Sequence, residues 1–152
     1  METAVAAHEL THLYLASFFG ARRSRLPPWL DEGLAGMLQD EALRLPDPRD
    51  KGPVLPATIP LDKFLTMRPG PDSPQTWVAA WYLQAHSIVR FIKRGHIEAS
   101  FPDFCAALRD GQDVKTALRK VYDYPDLAAF EAAWLKWRPK RAMGLPVGLE
   151  AQ

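Results

Sequence analysis

Residues 8 to 12 read His8-Glu9-Leu10-Thr11-His12: two imidazoles four positions apart, with a carboxylate beside the first. On an α-helix, positions i and i+4 lie one above the other on the same face. Two imidazoles so placed can hold one metal ion, and neutral imidazole suits zinc among the common metals. Glu9 stands next to His8 and cannot easily join the same ligand pair. It can reach a water at the metal, which is where a general base has to be. The chemistry this predicts is metal-assisted hydrolysis, with Glu9 taking a proton from water and passing it to the leaving group.

Two histidines leave a catalytic zinc one protein ligand short. The candidates are His86, His96 and a carboxylate, and Glu32 is the best of them. It lies in Pro27-Pro28-Trp29-Leu30-Asp31-Glu32-Gly33-Leu34-Ala35-Gly36, with nineteen residues between it and His12. That interval holds the rest of one helix, a loop and the entry to an antiparallel partner. Gly33 and Gly36 are expected to let these two helices approach closely and so bring the carboxylate to the imidazoles. Asp31 reads as a first-turn charge serving the positive end of the second helix rather than as a site residue.

The elements that must position these groups all read as helices. Ala4 to Phe19 has strong helix formers and no proline, and Gly20 offers a stop. Its apolar residues Val5, Leu10, Leu13, Tyr14, Leu15, Phe18 and Phe19 go most of the way round, which predicts burial on nearly all sides. Pro27 and Pro28 open a second helix to about Leu43. Arg44 to Pro60 carries five prolines and reads as an irregular loop that could border a cleft. Leu61 to Met67 reads as a short helix and Gln75 to Lys93 as the longest one. Three more follow at about Phe101 to Arg109, Val114 to Tyr122 and Leu127 to Trp137, with Asp113 and Asp126 as N-caps. The expected architecture is a mainly α helical bundle around the H-E-x-x-H helix over residues 1–138, then a frayed tail at 139–152. Cys105 reads as a small buried hydrophobe and His96 as an exposed residue at a helix end. The Trp77–Trp81 and Trp134–Trp137 pairs read as core.

The two motifs together resemble the gluzincin metallopeptidases, most nearly the bacterial peptidase-MA-like domains. In those families a glutamate on the helix after H-E-x-x-H, often in a W-[LN]-x-E-G-x-A context, is the third zinc ligand. Weaker similarity runs through Trp81-Tyr82-Leu83-Gln84-Ala85-His86 to Phe130-Glu131-Ala132-Ala133-Trp134. The resemblance implies His8, His12 and Glu32 as zinc ligands and Glu9 as base and acid in peptide-bond hydrolysis. It also implies a tyrosine or histidine downstream as oxyanion donor, without choosing between Tyr82 and His86, which share a helical face. The chain departs from the resemblance in two ways. Gly36 stands where thermolysin-type members carry an aspartate that orients a histidine ligand. The β-sheet that precedes the catalytic helix in gluzincins has no counterpart here, so the chain reads either as part of a longer protein with an upstream β-domain or as one that has lost that substrate platform.

The composition narrows the alternatives. The chain has 152 residues, enough for one domain with a real core. Nineteen Lys and Arg against eighteen Asp and Glu leave a net charge of +1, which gives no support for nucleic-acid binding. One cysteine excludes an internal disulfide and a cysteine-based metal site. No segment approaches the length of a membrane span, and His8, Glu9 and His12 interrupt what would be the apolar stretch of a signal peptide. The expected partner is a peptide or protein substrate. The competing reading is a zinc-stabilised helical module that binds or scaffolds without peptidase activity.

Overall fold

A computed structural model describes residues 2–44, 50–96 and 100–140, which are mainly helical and contain no strand. The helices are α1 (Glu2–Phe19), α2 (Pro28–Leu43), α3 (Leu61–Phe64), α4 (Gln75–Arg94), α5 (Ser100–Arg109), α6 (Val114–Tyr122) and α7 (Leu127–Trp137). Each boundary has a local cause. Gly20 takes a φ of 52° after α1, and a short 3₁₀ stretch over Gly20–Arg25 turns the chain. Pro28 sits in the first turn of α2, where its missing N–H costs nothing. Asp113 accepts from the Thr116 amide at 2.9 Å, and Asp126 from the Ala129 amide at 2.8 Å, so both expected N-caps are in place. None of the described helices is long and apolar enough to cross a membrane.

Packing centres on α2, which lies between α1 and α4. α1 and α2 form an antiparallel hairpin, whereas α2 and α4 run in the same direction: Gly33 meets Ala85 and Val89, Asp40 meets Arg90, and Glu41 meets Arg94. The core between them holds Trp29, Leu30, Met37, Phe64, Trp81 and Ile88, with Trp134 closing it from α7. Trp134 Nε1 donates to Ser87 Oγ at 3.0 Å and Trp81 Nε1 to the Met67 carbonyl at 3.2 Å, whereas the buried Trp29 Nε1 has no partner. Cys105 is buried as expected, and burial pushes its thiol up to about 12.

Two expectations need correction. α1 is not buried on nearly all sides. Ala4, Thr11, Leu15 and Phe19 are buried, but Val5, Leu10, Leu13 and Tyr14 remain 52–67% exposed. Its principal neighbour is α2, and one helix covers only one flank of another. The glycines also act elsewhere. A Cβ at Gly33 would lie 2.5 Å from the Ala85 carbonyl oxygen, so Gly33 permits close approach of α2 to α4, not to α1. A Cβ at Gly36 would meet nothing within 4 Å.

Of the proline-rich segment, residues 45–49 lie outside the described residues, as do 141–152 of the expected tail. The rest of the segment is irregular, and side chains satisfy its backbone in place of a ladder. Gln84, fully buried on α4, accepts from the Ile59 amide and donates to the Ile59 carbonyl, both at 2.7 Å. Glu131 accepts from the Leu61 amide at 3.2 Å. These bonds tie the segment to α4 and α7, away from the H-E-x-x-H residues.

Candidate metal centre

His8, Glu9 and His12 lie on α1, one turn covering all three, and Glu32 lies on the N-terminal half of α2. The antiparallel hairpin brings them together. His8 Nε2 is 3.0 Å from His12 Nε2, and Glu32 Oε2 is 3.9 Å from the first and 3.8 Å from the second. They are the one group of three or more metal-binding side chains that converges among the described residues. The point equidistant from these three atoms is about 2.1 Å from each, within the ~2.0–2.2 Å of zinc–nitrogen and zinc–oxygen bonds. The spacing of the donors therefore suits a zinc ion, and three donors would leave a fourth position open. The three side chains are about one-quarter exposed, so that position has access to solvent.

Glu9 does not join this group. It is exposed, and its carboxylate makes no hydrogen bond or ion pair among the described residues. Its neighbours one turn either way, Val5 and Leu13, are exposed and apolar.

Asp31 does something the sequence reading did not assign to it. His12 Nδ1–H donates to Asp31 Oδ1 at 2.7 Å. Asp31 and Glu32 are consecutive in α2, and α1 crosses so that the two carboxylates meet opposite nitrogens of one imidazole. The available signal was the pairing of Asp31 with Glu32 in the first turns of a helix facing H-E-x-x-H. The dipole argument is also true of Asp31, and it hid the second role.

The two candidate oxyanion donors part company. Tyr82 is 44% exposed at the α4 end near α2. Partial burial, then the negative charge of Glu32, raises its pKa above the usual 10, so the phenol keeps its proton. His86 is held by a different set of groups. Arg90 Nε donates to its Nε2 at 3.4 Å, and the carboxylates it senses are Asp40, Asp50 and Glu41. Burial first, and the Arg90 guanidinium second, lower its pKa to about 4. It is thus neutral, and the structure does not bring it to the ligand group. Arg90 itself is 1% exposed, 3.3 Å from Asp40 and 3.6 Å from Asp50, and locks α4 to α2 and the irregular segment.

His96, the remaining histidine, is not the exposed residue expected. It packs among Phe91, Tyr122 and Tyr124, where its Nε2 accepts from Tyr124 O–H at 2.8 Å and its Nδ1 pairs with the Phe91 carbonyl at 3.2 Å. That partnership explains its place near a helix end and removes it as a third ligand. The chain was compared with protein-family models, curated proteins and solved structures, and no match was found to any of them.

Proposed function

We propose that the chain is a zinc-dependent hydrolase of peptide bonds, with His8, His12 and Glu32 as ligands. The observation that carries this reading is the convergence of their three donor atoms at bonding distance from one point. A structural zinc is closed by four protein ligands, whereas three donors with solvent access are the pattern of a catalytic site. This favours an enzyme over a scaffolding module. Zinc held there would polarise the scissile carbonyl and bring the pKa of a water toward ~7.

The chain's own residues have separable tasks in this reading. His8 and His12 supply neutral nitrogen donors, and Glu32 supplies one negative oxygen. Glu9 takes a proton from the attacking water as the new carbon–oxygen bond forms. It then gives that proton to the amine nitrogen as the carbon–nitrogen bond breaks, so proton and charge balance over the cycle. Tyr82 donates its O–H to the oxygen of the tetrahedral centre, a bond made mainly in the transition state. The test is Glu9→Gln in zinc-loaded protein, assayed on a broad peptide library. Zinc content should stay at the wild-type level while kcat falls at least ~100-fold, on the scale of a lost general base. Equal cleavage by both proteins would remove Glu9 from the chemistry. Zinc binding with no cleavage by either would favour the module.

A further inference from the structure

We infer that Asp31 is a positioning residue that holds His12 in the one tautomer and ring orientation able to receive the metal. This inference rests on the metal-site reading above. The imidazole has two nitrogens and, when neutral, one proton. Asp31 is a carboxylate 2.7 Å from Nδ1, so it accepts, and the proton must be on Nδ1. Nε2 is then left with a free lone pair, and Nε2 is the atom that faces His8 and Glu32. Asp31 holds the ring on its Nδ1 side, and the contact with His8 lies on the Nε2 side, so the two fix the ring plane between them. A carboxylate behind a ligand imidazole also raises its basicity toward the metal.

The two ligand imidazoles are unequal in this respect. His8 Nδ1 is buried and has no hydrogen-bond partner. Among the described residues, Asp31 is thus the only side chain outside the ligand set with a hydrogen bond to either ring, and it holds the one farther along α1. Gly36, one turn beyond Glu32 on α2, has open space where a side chain would stand and offers no alternative. The hairpin brings the three side chains together, and Asp31 orients one of them.

The experiment has a metal-free arm and a zinc arm, on the full chain and its Asp31→Ala and Asp31→Asn variants. Long-range ¹⁵N NMR of metal-free protein reads the His12 tautomer. Nδ1–H is expected in wild type and in Asp31→Asn, whose side-chain oxygen still accepts, and it should be lost in Asp31→Ala. Competition titration then reads zinc affinity, which should fall ~10–100-fold in Asp31→Ala, as for loss of a carboxylate behind a ligand histidine, and less in Asp31→Asn. A contribution from the helix end alone would weaken both variants equally, and that result would overturn the inference. So would Nε2–H at His12 in wild type, or undiminished zinc affinity in Asp31→Ala. Wild type that binds no zinc yet shows the Nδ1–H tautomer would overturn the metal reading while leaving the His12–Asp31 contact in place.

Discussion

Gly33 and Gly36 are three residues apart in the same helix, yet alanine should have opposite effects at the two positions. At Gly33 the added methyl would stand 2.5 Å from the Ala85 carbonyl oxygen, 2.8 Å from its carbon and 2.6 Å from Val89 Cγ2. Two of these three atoms are backbone of α4 and cannot swing aside, so α2 and α4 must part by roughly 1 Å in a region packed at interior density. Overpacking of this kind costs ~1–3 kcal/mol, and rigid backbone as the obstacle places it at the upper end. The gain in helix propensity, ~1 kcal/mol for glycine to alanine, offsets part of it. The net loss is about 2 kcal/mol, a fall in Tm of ~4–8 °C for a chain of this size. Gly36→Ala meets nothing within 4 Å, so only the propensity term acts. It should raise Tm by ~2–4 °C. Thermal unfolding followed by circular dichroism at 222 nm checks both. Gly33→Ala melting at or above wild type would refute the close contact of α2 with α4. A loss in Gly36→Ala equal to that in Gly33→Ala would refute the open space beside Gly36.

His86 predicts an acid-sensitive stability. Its folded pKa of about 4 lies below the ordinary value of 6.5, so the unfolded chain binds the proton first. Its contribution is fully present above pH 6.5, is lost as pH falls toward 4, and amounts to about 2 kcal/mol by pH 5. Urea unfolding of His86→Gln should lose less stability than wild type between pH 7 and pH 5 by about that amount, and equal losses would exclude the burial of a neutral imidazole. Tyr82→Phe should lower kcat on peptides ~100-fold or more with zinc content unchanged, as for one lost oxyanion donor; full kcat would take Tyr82 out of the reaction. Asp126→Ala should cost ~1 kcal/mol in chemical denaturation by removing the cap on α7, and no loss would mean that the cap bond is replaced by water.

Much of the fold was legible because its signals are local. Proline and glycine mark the ends of α2 and α4, and Asp113 and Asp126 sit before helices whose first amides need an acceptor. The grouping of His8, His12 and Glu32 was legible for the same reason: i and i+4 spacing is a property of one helix, and a carboxylate after a turn is a property of a hairpin. What could not be read was which helix each face would meet. Gly33 looks equally suited to α1 or α4 until tertiary packing decides, and the apolar residues of α1 do not say how many neighbours will cover them. His86 shows the limit most clearly. Its spacing from Tyr82 places both on one face, but Arg90, a turn further on, draws the imidazole into a buried cluster with Asp40 and Asp50. The contact of Asp31 with His12 was not legible because a first-turn acid already has a sufficient local explanation. Its bond to His12 depends on the crossing of two helices.

The central claim is that three side chains from two helices hold one metal ion. Isothermal titration of metal-free protein with zinc tests it directly, comparing wild type with Glu32→Ala and with the double variant His8→Ala, His12→Ala. Wild type should bind one zinc per chain. Glu32→Ala should bind more weakly by more than the ~10–100-fold that loss of a partner behind a ligand costs, and the double variant should show no binding at this site. Tight binding that survives in the double variant, or a wild-type chain that takes up no zinc, would contradict the account.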